Sequence, residues 1–441
     1  MSRMDAAQAI GVPEAVHAAW LQGDHTRVIA ALDVWRQQTS APSLEYWLQR
    51  VYADSVFERP TLDVSVREAE RMARAAGDQV ALARIGASVV DALYSDWRPS
   101  REARRWLDAL RNVAFARLAT LDPQPRLEIA AGILAADLFG ESLASAARVA
   151  DAVLPWVGDA NAVSATVRGN ALGYALEYFS GQRRWEPAHS LVAAIDELYG
   201  DPGFGAVARA RVSARRGFYY HYRRGDYAGA LGQSISAVTN AHAAGVQRAA
   251  REAGITVSLC HLMRGEVAEA DRALLAEQEA IPDGHLMLRA NVHYERSWWH
   301  ALRRDVVSAQ RELDTACRLF AEIDEHGVMS LATPSLQAQL LLQVGEYESA
   351  LRVFEMRTQR PDAWQVDMAL IEALAALDRK DRAAAVVPLR RALSVAARID
   401  IKGCFWACRD EFAALLRLAI SENIEPRWVA SVCAARLLDT G

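Results

Sequence analysis

Lysine is nearly missing from this chain: Lys380 and Lys402 are the only two in 441 residues, and the formal net charge is −5. Such a chain is, as a whole, no electrostatic match for nucleic acid or an anionic membrane. Neither lysine stands in a Gly-x-x-x-x-Gly-Lys-Ser/Thr run, so a P-loop phosphate cradle is excluded. Cysteine is scarce as well. Cys260, Cys317, Cys404, Cys408 and Cys433 form an odd, scattered set, which argues against a disulfide framework and for reduced thiols in the cytoplasm. There is no Cys-x-x-Cys and no His-Glu-x-x-His, so neither a metal nor a cofactor is expected. Apolar runs stop short of the ~18 to 20 residues a membrane span needs. The opening Met1-Ser2-Arg3-Met4-Asp5-Ala6 leads into a mixed polar stretch that does not read as a secretory leader. Strand-like alternation is almost absent.

What is present is a repeated turn. Gly23-Asp24-His25, Gly225-Asp226-Tyr227, Gly265-Glu266-Val267, Arg304-Asp305-Val306, Gly345-Glu346-Tyr347 and Lys380-Asp381-Arg382 share one chemistry. A first residue that accepts the left-handed conformation ends one helix, and the following acid caps the next. From Gly225 onward the spacings are 40, 39, 41 and 35 residues, and an alanine stands five residues after each first position: Ala230, Ala270, Ala309, Ala350 and Ala385. A small residue at that place lets two antiparallel helices approach closely. Looser turns fit Arg59-Pro60-Thr61, Asp96-Trp97-Arg98-Pro99, Gly140-Glu141-Ser142 and the segment from Gly181 to Pro187.

These turns predict an all-α fold, a right-handed superhelical solenoid of about ten tetratricopeptide-like antiparallel helix pairs. No proline- or serine-rich linker divides it. The expected organisation is a single array over residues 1–441, with 1–40 as an N-terminal capping pair and 403–441 as C-terminal capping helices.

Non-repetitive landmarks add a family resemblance. They are Ser88-Val89-Val90-Asp91-Ala92-Leu93-Tyr94-Ser95-Asp96-Trp97 with Trp106-Leu107, Gly158-Asp159-Ala160-Asn161, and His293-Tyr294 with Trp298. Near the end come Arg390-Arg391-Ala392-Leu393, Phe405-Trp406 and Ile424-Glu425-Pro426-Arg427-Trp428-Val429. In order and spacing this succession is similar to the helical sensor arm of maltose-regulator-type bacterial transcriptional regulators and of their SARP-type relatives. The resemblance implies a sensing or adaptor role. The nucleotide-binding and DNA-binding parts of such regulators have no counterpart in the motifs here, so ATPase activity and direct nucleic-acid binding do not carry over.

Catalytic constellations are not evident. The acid pairs face no nucleophile or histidine by spacing, and no catalytic residue is assigned. Cys404 and Cys408 share a helix face and read as buried structural thiols. Gly200-Asp201-Pro202-Gly203-Phe204-Gly205 lacks a preceding strand and reads as an inter-helix loop. The candidate binding residues are aromatic side chains and an arginine on the first helices of the middle repeats: Tyr174, Tyr178, Arg215, Tyr219, Tyr222, Tyr294 and Trp298. Counting back from the turns puts Arg215, Tyr219 and Tyr222 on one exposed concave stripe and Tyr294 with Trp298 on its later equivalent. Such residues give contact area and hydrogen bonds at low entropic cost; they also fill gaps between helices. The arginines 209, 211, 215, 216, 223 and 224 read either as a phosphate- or base-binding patch or as a solvated or salt-bridged face.

The expected function is therefore a non-enzymatic, cytoplasmic, signal-sensing or adaptor protein. It would bind a small effector or a protein segment in its concave groove, without nucleic acid or membrane as partner. A constitutive protein–protein scaffold is the alternative. A solenoid-based enzyme around His221 and His300 is the remaining one.

Overall fold

The computed structural model describes residues 12–139, 143–159, 163–182, 184–222, 225–323, 328–355 and 362–440. Among them the chain is all-α, with 23 α-helices and no strand. No described helix is long and apolar enough to cross a membrane. The turn at Gly140-Glu141-Ser142, residues Ala160 and Asn161, and Arg223-Arg224 lie outside the described residues.

All six repeated turns have the conformation their residues imply. Gly23, Gly225, Gly265, Arg304, Gly345 and Lys380 have φ of 64°, 59°, 73°, 58°, 81° and 60°, the left-handed region that closes a helix. The acid that follows caps the next helix in four cases. Asp24 accepts from the Arg27 amide, Asp226 from Gly229, Asp305 from Ser308 and Asp381 from Ala384, at 2.9 to 3.1 Å. The five alanines Ala230, Ala270, Ala309, Ala350 and Ala385 are all fully buried. The small residue thus sits where two helices press together.

Where the sequence reads as one array, contacts group the chain into two compact units. The first comprises Met1–Arg216 with Gln233–Ala253, and the second Gly217–Gly232 with Gly254–Gly441.

In the first unit the helices are α1 (Val12–Leu21), α2 (His25–Gln38), α3 (Leu44–Val56), α4 (Leu62–Ala76), α5 (Gln79–Ser95), α6 (Arg104–Arg111), α7 (Phe115–Ala119), α8 (Pro123–Leu138), α9 (Ala146–Gly158), α10 (Ala165–Gly181) and α11 (Trp185–Tyr199). It also takes parts of α12 (Ala206–Tyr222), α13 (Tyr227–Ala244) and α14 (Arg248–Arg264). Through this unit α3, α5, α8 and α10 pack in succession, with α4, α9 and α11 each beside its predecessor. Small residues permit the approach: a Cβ on Gly132 of α8 would fall on Ala87 of α5. The 200–205 segment is an inter-helix loop, and its glycines interlock with the first repeated turn. A Cβ on Gly23 would collide with the Gly203 carbonyl, and one on Gly203 with the Leu21 carbonyl.

The second unit holds the rest of α12 to α14, then α15 (Val267–Glu279), α16 (Leu286–Leu302), α17 (Val306–Glu322), α18 (Val328–Gln343), α19 (Tyr347–Glu355), α20 (Asp362–Asp378), α21 (Arg382–Arg398), α22 (Arg409–Ser421) and α23 (Pro426–Arg436). Two apolar cores run through it. One gathers Tyr294, Trp298, Leu313, Phe320 and Leu340; the other gathers Phe354, Trp364, Phe405, Phe412 and Trp428. The fully buried Arg436 organises the end of the unit. It donates to the carbonyls of Lys402 and Phe405, at 3.4 and 3.2 Å, and to that of Cys404. Cys404 and Cys408 are buried thiols outside any disulfide, and Cys408 donates to the Gln339 carbonyl at 3.3 Å. Burial holds the Cys408 thiol well above its ordinary pKa, so it stays protonated.

Candidate functional site

In the first unit the helices α5, α10, α12 and α14 bring charged side chains into the interior. The cause is visible in α10. Ser164 caps it by accepting from the Val167 amide at 3.3 Å, and nearly every residue from Ala165 to Ser180 is buried. A helix apolar and small all round has no solvent face. Polar groups on it must therefore find partners inside.

Those partners form one cluster. Tyr174 of α10 donates to Asp91 Oδ1 of α5 at 2.5 Å. Arg211 of α12 donates to the same oxygen at 2.5 Å and to Asn170 Oδ1 at 3.2 Å. Arg215, one turn on, donates to Asn170 at 3.4 Å and lies 3.8 Å from Asp91 and 3.6 Å from Glu177. Its guanidinium rests on the Tyr174 ring at 3.8 Å, a geometry that adds a cation–π attraction. Tyr94 of α5 donates to Glu177. Glu252 of α14 is buried beside them. The arrangement depends on Gly173, because a Cβ there would meet Arg215 Cδ at 2.9 Å.

The electrostatics divide the three carboxyls. Burial alone would raise Asp91, but Arg211 and then Arg215 overcome it and hold Asp91 below the usual carboxylate range. Burial followed by the nearby Glu252 pushes Glu177 up to about 7, against the pull of Arg215. Glu252 is raised by burial too, with Arg215 and Arg211 opposing. Burial works against the charge on Arg215, yet Tyr174, Glu252, Glu177 and Asp91 together keep it firmly protonated. Two guanidiniums and an ionised Asp91 reach neutrality when Glu177 and Glu252 hold one proton between them. Several polar atoms keep unused capacity in this interior: Arg211 Nε, Arg215 Nε and Nη2, Glu177 Oε2 and Glu252 Oε1 make no hydrogen bond.

This geometry predicts a pH dependence. Glu177 binds its proton more tightly folded than unfolded, so its contribution is full below about pH 4.5 and is lost as pH rises toward about 7. Stability should fall over that range by on the order of 2 to 3 kcal/mol. Glu177→Gln should flatten the slope, read as urea midpoints at pH 5 and pH 8.

The candidate residues fall in both units. Tyr174 and Arg215 meet in the cluster. Tyr178 is buried one turn along α10, edge-on to Phe179 at 5.6 Å. Tyr219 is fully buried against Tyr220, with ring centroids 5.1 Å apart. Tyr294 and Trp298 lie in an apolar core, and Trp298 packs on Trp406 at 4.8 Å. The Tyr222 side chain lies outside the described residues. The exposed stripe is thereby corrected for Arg215, Tyr219, Tyr294 and Trp298. Each is buried, because α12 and α16 are covered on the face the count had turned outward.

Four arginines of the patch lie among the described residues, and three of them are interior. Arg211, Arg215 and Arg216 are buried, and Arg216 pairs with Asp196 at 2.9 Å. Arg209 donates to the carbonyls of Phe204 and Tyr199 at 2.7 and 2.9 Å. His221 is buried beside Cys260, 3.8 Å from its sulfur, and burial lowers its pKa to about 4. It is neutral at physiological pH. Among the described residues, no group of three or more His, Cys, Asp or Glu side chains is placed to hold a metal ion.

Asp91, Asn170 and Glu177 stand in stretches the sequence singles out for other features, and Glu252 in none. The signal for Asp91 is an acid inside an otherwise apolar helical run, Val89-Val90-Asp91-Ala92-Leu93, which demands a buried counter-charge. Compared with protein-family models and with curated proteins, the chain matches none.

Proposed function

We propose that this chain is a right-handed solenoid of about ten tetratricopeptide-like helix pairs that works as a signal-sensing or adaptor protein of the cytoplasm. It belongs, in this reading, with the sensor arms of maltose-regulator-type and SARP-type regulators. It binds a small effector or a protein segment and passes occupancy on through the relative tilt of its helix pairs. In such an array each repeat touches its neighbours, so small rotations accumulate.

The observation that carries the functional part is the cluster of Asp91, Glu177, Arg211, Arg215 and Glu252. A part that had only to hold its shape would be more stable with apolar residues there, since buried charges repay their desolvation poorly. Charges that are part-satisfied and share a proton instead give four helices two arrangements of similar energy. A ligand favouring one arrangement shifts the balance. Tyr174 and Arg215 are thus assigned to setting the arrangement.

The test is a thermal-shift survey of the full chain against low-mass fractions of its own cells, with a pull-down in parallel. A fraction that raises the melting temperature supports sensing. A protein that co-purifies without any thermal response to small molecules points to the constitutive scaffold. Consumption of a metabolite would replace both with an enzyme.

A further inference from the structure

The start of α14 belongs to the first unit, and two carboxylates from far back in the chain hold it there. Glu58 accepts from the Gln247 and Arg248 amides, one on each carboxylate oxygen, at 2.7 and 2.8 Å. Asp96 Oδ1 accepts from the Arg251 guanidinium, and Arg248 Nε lies 3.8 Å from the same oxygen. Arg248 also donates to the Ser55 carbonyl at 3.2 Å.

Neither acid is where its own helix would favour it. Glu58 follows the last turn of α3 and Asp96 the last turn of α5, the ends at which a helix dipole disfavours negative charge. Glu58 is also left-handed, with φ of 56°, in the place that Gly77 takes after α4 with φ of 64°. An acid kept there against both preferences answers to the opposite pole, the N–H groups and two arginines that open α14.

We propose that these contacts are a latch that ionic strength opens: Glu58 and Asp96 hold the first two turns of α14 on the ends of α3 and α5, and salt releases them about a hinge at Gly254. Little else holds these turns. The apolar side chains they bury are small, Val246, Ala249, Ala250 and Ala253, so the apolar area at stake is modest. Glu252 is buried with them, and opening would return its carboxyl to water. The ties themselves are partly exposed, 22% for the Asp96 side chain, 16% for Arg248 and 15% for Arg251, which leaves them open to screening. Asp96 also has a second cation beside it. Arg98 lies 3.8 Å away, so the acid keeps a counter-ion when α14 leaves. Gly254 supplies the hinge. It stands inside α14 directly after these turns, where glycine loosens a helix. Packing does not ask for it, because an added Cβ would be in ordinary contact with Glu277 Cγ at 3.6 Å.

Hydrogen–deuterium exchange of the full chain, without ligand and at constant pH, tests this in about 0.01 M and about 1 M salt, between which the screening length falls from about 30 to about 3 Å. In the wild type, protection over residues 247–253 should fall about tenfold in high salt while that of α10 holds. Glu58→Gly removes the carboxylate and the left-handed strain together. It should leave α3 at least as protected as in the wild type, yet bring residues 247–253 at low salt most of the way to their high-salt exchange. Gly254→Ala stiffens the hinge and should raise protection of residues 247–253 in high salt by about fivefold. The latch is overturned by equal wild-type protection in the two salts, by wild-type protection of residues 247–253 in Glu58→Gly, by a salt response shared by all helices, or by a Gly254→Ala response equal to the wild type. Should Glu58→Gly not fold, Asp96→Asn takes its place with the same expectation for residues 247–253. Because no ligand enters the experiment, a chain that senses nothing can still pass it, and a sensor can still fail it.

Discussion

Arg215→Met should lower the stability of the chain by about 3 to 5 kcal/mol at pH 8, the range for breaking a buried ion pair from one side. The substitution keeps most of the side-chain volume across Gly173 and removes the charge. Asp91, Glu177 and Glu252 would then share a dry interior with Arg211 as the remaining cation. Proton uptake relieves that imbalance, so the loss at pH 5 should be clearly smaller than at pH 8. Urea midpoints at the two pH values separate this from loss of packing. A cavity costs the same at both, whereas uncompensated charge costs less in acid.

The second large effect concerns backbone. Gly23→Ala and Gly77→Ala change residues with the same φ of 64°. At Gly77 nothing lies within 4 Å of the new Cβ, so only the left-handed strain remains, about 1 kcal/mol. At Gly23 the Cβ runs into the Gly203 carbonyl, a backbone group that cannot turn aside. Gly23→Ala should therefore cost at least twice as much. Its exchange protection should fall first in α1 and α2, because separating the turn from the 200–205 loop is the cheapest way to relieve the clash. Equal losses in the two variants would show that the loop and turn are not interlocked.

These two sites also mark what the sequence makes legible. A left-handed residue, an acid to cap the next helix and an alanine five positions on are all local chemistry. Lys380-Asp381 and Arg304-Asp305 could therefore be read as turns without any glycine. That Gly23 meets Gly203 is not local, and neither residue hints at the other. The exposure expected of the binding stripe is not found, for a related reason. Helical counting around Arg215 and Tyr219 assumes that one face of the helix is wet, but residues all round α12 are buried, and an arginine read by type alone belongs at the surface. Its true setting depends on Asp91 in a distant helix; the neighbouring Arg211 is bonded to that same residue across 120 positions. Glu295 is a similar case. It stands among Tyr294, Ser297 and Trp298 like any acid on an amphipathic helix, and only the fold places Ser258 of α14 against it.

Native mass spectrometry of the full chain isolated from its own cells tests the sensing and adaptor role most directly. A sensor or adaptor should carry more than the 48.5 kDa of the chain, with a small molecule or a protein bound in stoichiometric amount. Arg215→Met, isolated in the same way, should have lost it. A bare chain in both preparations, or a retained species that Arg215→Met binds equally well, would contradict the role given to the buried cluster.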